Sequence, residues 1–500
     1  MSVVNFTILL LLLYLVGLKF LSYFAHRIST RASEDYFLAS RNVGLLALIG
    51  TTMASIFSTG TVVSSPSEFY RQGSSYFFVF FFAFMPVVYF FLATKMWRLG
   101  RAKGYITPGD MLGDFYKSRP VVFWCAAIGL LAVLPYAVAQ LVAIGKTFEA
   151  LTDGRISYFW GVTVVSISIA LYMYFGGARA VVWTDMIQGF IFATLLIIAG
   201  ILVVRWSGGW EPMVGTLTND YAAKTSFEGK LTWRYYELGL LPLSFSFLPY
   251  LWQRMYMAKS ASHVAKNLMA VPIIFVVLFF TTWVIGTSAH VILPDGLQDA
   301  DSVLGALFKD NLPYFGAMLL VAAFAAGMST VDSQLLSAGS LITHDIGGIL
   351  RGERRESVAI FTFGKWSTVF LMAALYFWAL NLKSASILNL IILGISLTII
   401  YIPSVFGMFY WKKATPTGAA WSMGGGLVFF LIKQFQLFGL DALLPGPMGS
   451  ISYGLAAAIF FFIVVSLLTS NEKIRDMQEE YDAILGTAAP SAAAAPSPAD

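Results

Sequence analysis

Ala326, Ser329 and Thr330 stand at i, i+3 and i+4 within the run Ala322-Ala-Phe-Ala-Ala-Gly-Met-Ser-Thr-Val-Asp-Ser333. On a helix this spacing puts one backbone carbonyl and two hydroxyl oxygens on one face. A hard monovalent cation such as sodium is bound by neutral oxygens of this kind, but one helix does not complete the shell. Two or so further carbonyls are required, and Ala54 and Phe57 supply them if the chain unwinds in Ala54-Ser-Ile-Phe-Ser58-Thr59-Gly60-Thr61. The alternative is that small residues line a tight helix crossing, with each hydroxyl bonded back to the carbonyl four residues earlier.

Two acids stand close to these oxygens. Asp332 is one turn from the proposed ligands, and Asp185 follows Phe175-Gly-Gly-Ala-Arg-Ala-Val-Val-Trp-Thr. A charge inside a bilayer costs at least about 2.5–3.5 kcal/mol, so an intramembrane acid marks a site unless it is paired. Either one could hold a cation or a proton. Equally, Asp185 could cap a helix start and Asp332 could pair with Arg254. Glu68 and Arg71 read as a local exterior gate contact.

The elements that must position these residues are helices in a membrane. Of 500 residues, 58% are hydrophobic and 12% charged, too few charges for a water-soluble enzyme of this size. The net charge of +5 has no nucleic-acid footprint. A single cysteine, Cys125, and four scattered histidines exclude a disulfide framework and a Cys/His metal cluster. No His-Glu-x-x-His or Gly-x-Ser-x-Gly is present, so the chain is not expected to be an enzyme.

A bilayer core of about 30 Å needs about 20 apolar residues per helix. Thirteen stretches qualify, at roughly 5–25, 44–70, 75–97, 120–149, 156–174, 180–206, 235–257, 267–293, 314–343, 358–380, 385–410, 415–436 and 448–469. The first has no basic flank or cleavage site and is expected to stay as a span. With the N-terminus outside, 21 of the 32 Lys and Arg fall in cytoplasmic loops and 10 outside, which favours N-out, C-in. The expected class is an all-α integral membrane protein of about thirteen transmembrane helices.

Two stretches carry breaks. The second has Ser58, Thr59 and Gly60 at mid-depth, and the seventh brackets Ser244 and Ser246 between Pro242 and Pro249. The breaks lie five helices apart, which divides the chain into two topologically inverted halves. Residues 1–43 are then an extra helix and cytoplasmic loop, 44–206 the first repeat, 207–234 an exterior loop, and 235–410 the second repeat. Residues 411–470 add two helices, and 471–500 form a cytoplasmic tail, disordered in its Ala/Pro/Ser part.

Four strings carry a resemblance: Glu34-Asp-Tyr-Phe-Leu-Ala-Ser-Arg41; Gly176-Gly177 through Trp183-Thr-Asp185 to Gln188-Gly189; Gln253-Arg254 with Ala258-Lys-Ser260; and Met328-Ser-Thr-Val-Asp-Ser-Gln-Leu-Leu336 followed by Thr343-His-Asp345. Over about 34–410 the chain resembles the sodium/solute symporter family. That resemblance implies a five-plus-five inverted-repeat, LeuT-like core, and residence as a multi-pass protein of the plasma (inner) membrane. It implies the same sodium set, Ala54, Phe57, Ala326, Ser329 and Thr330. Members with a second sodium use an aspartate matching Asp185 and a hydroxyl matching Ser333, but here Asp332 replaces another hydroxyl.

For solute the resemblance points to Ser58, Thr59, Gly60 and Thr61 with Ser244 and Phe245. Leu241, Ser244 and Phe245 stand where sugar-binding relatives have Asn, Tyr and Trp, and a hexose would leave hydroxyls unpaired at about 1–3 kcal/mol each. Ile56 and Leu241 likewise disfavour proline. Ser65-Pro-Ser-Glu-Phe-Tyr-Arg-Gln-Gly73 is similar to the iodide, monocarboxylate and vitamin branch. The expected partners are therefore sodium, the lipid bilayer and a small organic solute, an organic anion such as a monocarboxylate or pantothenate-like acid. A proton-coupled symporter, a sodium symporter for an amino acid or sugar, and a membrane sensor are the alternatives.

Overall fold

The computed structural model describes residues 1–28, 32–152, 154–293, 296–297, 299–351, 358–444 and 446–486. The Ala/Pro/Ser tail and the bases Arg354 and Arg355 lie outside the described residues. The long elements are α1 (Val3–Arg27), α2 (Leu45–Ile56), α3 (Ser65–Gln72), α4 (Met85–Lys103), α5 (Pro108–Tyr116), α6 (Arg119–Leu151) and α7 (Tyr158–Trp206). They are followed by α8 (Trp210–Asn219), α9 (Leu241–Phe245), α10 (Pro249–Met257), α11 (Ala261–Ile292) and α12 (Pro313–Ser340). The last six are α13 (Val358–Leu380), α14 (Ile387–Leu397), α15 (Ile402–Tyr410), α16 (Pro416–Phe435), α17 (Ser450–Leu468) and α18 (Arg475–Leu485). Prolines open α5, α6, α12 and α16 in their first turn, where the missing amide is no loss. Thr107 and Asp110 cap α5 reciprocally.

Nine helices among the described residues are long and apolar enough to cross a membrane, or ten if α16 and the bent turn after it count as one span. The difference from thirteen has physical causes. Stretches 156–174 and 180–206 are two helical arms that meet at a kink within Tyr158–Trp206, with no loop between them. Gly177 breaks the helical path at φ 53°, ψ −148°, a region open to glycine alone. A β carbon there would also stand 2.8 Å from the Tyr36 carbonyl. The two stretches with polar or proline interruptions form no unbroken helix of bilayer length.

The first of these runs through α2, leaves helical geometry at Phe57 (φ −86°, ψ 111°) and resumes as one wide turn over Gly60–Ser64 before α3. The second is α9 and α10, parted by an extended Leu248 (φ −62°, ψ 132°) ahead of Pro249. Beside them α12 forms the axis of the molecule. Every residue from Val321 to Leu341 is buried, because α12 packs against α1, α2, α6, α7 and α13. Its hydroxyls and Asp332 therefore face protein on all sides. Outward faces carry exposed Leu13, Val16, Phe90, Ile201, Met269 and Phe370, as lipid contact demands.

Candidate cation and solute site

The break in α2 frees two carbonyls. In a continuous helix the amides of Ser58 and Thr61 would bond to the carbonyls of Ala54 and Phe57. Instead Ser58 N faces the Thr61 hydroxyl at 3.4 Å, and the amides of Thr61 and Val62 both turn to the Ser58 carbonyl, at 2.9 and 3.2 Å. The Ala54 carbonyl is met by hydroxyls from α12: Ser329 Oγ donates to it at 2.8 Å and Thr330 Oγ1 lies 3.4 Å away. The same hydroxyls reach the Ala326 carbonyl at 2.9 and 3.0 Å. Ala54, Ala326, Ser329 and Thr330 thus converge, fully buried, with Phe57 at the adjoining end of α2. The back-bonding to Ala326 is also what the packing alternative foresaw, but the reach across to Ala54 exists only because α2 is interrupted.

A second cluster lies one turn along. Asp185 Oδ2 accepts from Thr51 Oγ1 at 2.6 Å and from Arg254 Nη2 at 3.1 Å. The same guanidinium nitrogen reaches Ser55 Oγ at 2.9 Å and also Ser333 Oγ, while Ser55 and Ser333 are 2.8 Å apart. Asp185 and Ser333 are therefore brought together around an arginine. The partner of Arg254 is Asp185 and not Asp332. Asp332 is fully buried, and neither of its carboxylate oxygens has a hydrogen-bond partner among the described residues.

On the other side of the break is a cavity walled by α2, α6, α9, α11 and α14 and the turns after α2 and α3. Ser58, Gly60, Thr61 and Phe245 line it. Thr59 and Ser244 do not. Thr59 Oγ1 donates to the Ala323 carbonyl at 3.1 Å, pinning the break to α12. Ser244 Oγ donates to the carbonyls of Ile395 and Ser396 at 2.5 and 3.1 Å, tying α9 to α14. The free space is about 560 Å³, its open mouth included. Hydroxyls of Ser58, Thr61, Ser65, Tyr76 and Tyr136 are its polar groups, set among Phe78, Phe82, Phe275, Phe279 and Ile391. No charged side chain among the described residues lines it.

The model of the sodium:solute symporter family matches residues 36–426. The chain belongs to that family. The Sodium/pantothenate symporter of Escherichia coli (strain K12) is 28% identical to this symporter over 470 residues, covering 89% of this chain and 94% of that one. Sodium/proline symporter 2 of Staphylococcus saprophyticus subsp. saprophyticus is 24% identical over 473 residues, covering 89% and 91%. Among solved structures, the substrate-bound outward-open state of a Na⁺-coupled sialic acid symporter superposes with a TM-score of 0.77 over 93% of this chain and 98% of that one, at 16% identity. Mhp1, a nucleobase-cation-symport-1 family transporter in a closed conformation, gives 0.55 over 89% and 97%, at 11%. The symporter thus has the LeuT-type fold of sodium-coupled transporters.

Most of the symporter's cavity wall escaped the sequence reading. Tyr136 follows Pro135 inside α6, and that proline was the available signal. Phe275, Phe279 and Ile391 sit in uniformly apolar helices with no mark to separate a cavity wall from a lipid face. In α3, Arg71 pairs with Glu68 and lies 3.3 Å from Asp301. His290 stacks on Tyr70 with ring centroids 4.2 Å apart, holding α11 against α3.

Proposed function

We propose that the symporter imports a small organic acid with one sodium ion, held by the carbonyls of Ala54, Phe57 and Ala326 and the hydroxyls of Ser329 and Thr330. One observation carries this reading: the Ala54 carbonyl, released from its own helix, meets the Ser329 hydroxyl at 2.8 Å. Dipoles from two different helices then gather where an ion without hydration would need them. Arg254 occupies the second cluster as a resident cation, which favours a single sodium over two.

The fold is read as thirteen spans, with α7 crossing twice about Gly177 and with α2–α3 and α9–α10 as broken spans, N-out and C-in, in the inner plasma membrane. Residues 44–206 and 235–410 are then the inverted repeats. Rocking of one part against the other opens the cavity to each side in turn, and sodium moving inward contributes about 2.3 kcal/mol per 100 mV.

An apolar, aromatic cavity with a few hydroxyls suits a compact solute with few hydrogen-bonding groups, which disfavours hexoses. With no lining cation, the bound sodium supplies the positive charge that an organic anion requires. The pantothenate symporters among the relatives support a carboxylate-bearing solute. A thermal-shift panel of pantothenate, monocarboxylates, amino acids and sugars, with and without sodium, tests it. Stabilisation by sugars alone would overturn the reading.

A second reading rests on Asp332, a buried carboxyl with no hydrogen-bond partner among the described residues: coupling to a proton. Replacing sodium by choline at fixed pH separates the two. Uptake into vesicles stops under sodium coupling and continues under proton coupling.

A further inference from the structure

A groove runs down the flank of the molecule where α16 lies against α6 and α17, away from both the cation cluster and the solute cavity. Its floor is one stripe of α16, stepping every fourth residue from Pro416 through Ala420 and Gly424 to Val428. Twelve residues at 1.5 Å each cover about 18 Å, close to half of a bilayer core of about 30 Å. The groove is therefore about as deep as one leaflet. Its free space is about 1390 Å³, open mouth included, more than twice that of the solute cavity on the same measure. Glycines give it room. A β carbon on Gly424 would stand 3.0 Å from the Trp124 indole, and one on Gly425 2.4 Å from the Phe461 ring, so both rings lie close on α16 as walls.

One end of the groove is basic. Lys117 and Arg119 reach it from the start of α6, and Lys473 from the turn after α17. Lys117 is paired with Asp114 at 2.8 Å, but Arg119 and Lys473 have no acidic partner among the described residues. Lys412 and Lys413, exposed in the turn before α16, add positive charge at the same end. Glu472, beside Lys473, is exposed. Trp124 and Trp421 line the groove about one turn below the bases, the depth at which tryptophans anchor at a membrane interface.

A cationic rim, an aromatic collar and an apolar channel one leaflet deep are complementary to a lipid with an anionic head. A soluble anion would leave the channel unused, and a neutral lipid would leave the bases unmatched. We propose that this groove binds an anionic phospholipid, its phosphate held by Arg119 and Lys473 and one acyl chain laid along α16. In the orientation proposed above, the lipid belongs to the inner leaflet.

The full chain, purified in detergent, is titrated with dioleoylphosphatidylglycerol, dioleoylphosphatidylcholine and glycerol 3-phosphate and read by native mass spectrometry. One phosphatidylglycerol should be retained roughly tenfold or more over phosphatidylcholine, and glycerol 3-phosphate should not be retained. Arg119→Ala with Lys473→Ala should reduce phosphatidylglycerol to the phosphatidylcholine level. Val428→Trp, which fills the deep end and removes no charge, should reduce retention of both lipids. Equal retention of the two lipids by the parent chain overturns the proposal, and so does a preference that survives loss of both bases. Retention of glycerol 3-phosphate would assign the bases to a soluble anion and overturn it as well. The comparison of lipids on the parent chain needs no variant, so poor folding of one leaves the result decisive.

Discussion

Ser329 and Thr330 each bridge two carbonyls, one on their own helix and one on α2. Removing either hydroxyl takes one oxygen from the proposed shell and about 1 kcal/mol of hydrogen bonding from the fold. Ser329→Ala or Thr330→Ala should therefore raise the sodium concentration for half-maximal uptake about tenfold or more, with near-normal yields of folded protein. Unchanged sodium dependence in both variants would remove the site. Arg254 poses the opposite case, since its charge is buried with that of Asp185. Arg254→Ala strands the carboxylate and should cost about 3–5 kcal/mol of stability, whereas Arg254→Ala with Asp185→Asn should regain most of it. Thermal unfolding of the purified variants checks this, and equal melting of single and double variants would mean that the pair carries no stability. The spacing i, i+3, i+4 made Ala326, Ser329 and Thr330 legible in the sequence, because helical periodicity fixes which side chains share a face. The partner of Arg254 was not legible: Asp185 and Asp332 are both acids near one depth, and only packing decides which one faces the guanidinium.

At the scale of elements, the places where helices fail were read more securely than the helices themselves. Two prolines seven residues apart, and hydroxyls beside a glycine at mid-membrane, are local features whose consequences are local: lost amide donors and competing side-chain bonds. Thr59 and Ser244 show the limit of that reading. Both lie in the breaks as expected, yet their hydroxyls are turned to Ala323 and to Ile395 and Ser396, since a chain that unwinds also needs anchoring to its neighbours. The join between stretches 156–174 and 180–206 is a kink at a single residue within α7. Gly177 there combines a positive φ with contact on Tyr36. Gly177→Ala should lower stability by about 1–3 kcal/mol from backbone strain alone, and Gly177→Leu by more. A melting temperature unchanged in Gly177→Ala would show that the two arms of α7 do not depend on this bend.

For the whole molecule, the proposed sodium and solute sites lie on the two sides of one interruption. The carbonyls of Ala54 and Phe57 belong to the end of α2, while Ser58, Gly60 and Thr61 begin the cavity wall within four residues of Phe57. An ion fixing the first pair would also fix the backbone proposed to receive the solute, so the proposed sites would be coupled through a strand of chain too short to flex independently. Coupling between two binding events is reciprocal in equilibrium free energy. Saturating solute should tighten sodium binding by the same factor as saturating sodium tightens solute binding, a factor expected at about 5–150. Ser329→Ala should weaken sodium binding in the absence of solute and leave the two factors equal to each other, because reciprocity is a property of the cycle and not of any ligand atom. Binding titrations of purified protein, each ligand measured with and without the other at fixed pH, give both factors. A factor of one in both directions would separate the cavity from the cation cluster. If solute-dependent proton uptake appears in the same titrations, Asp332, buried without a hydrogen-bond partner among the described residues, becomes the residue to replace.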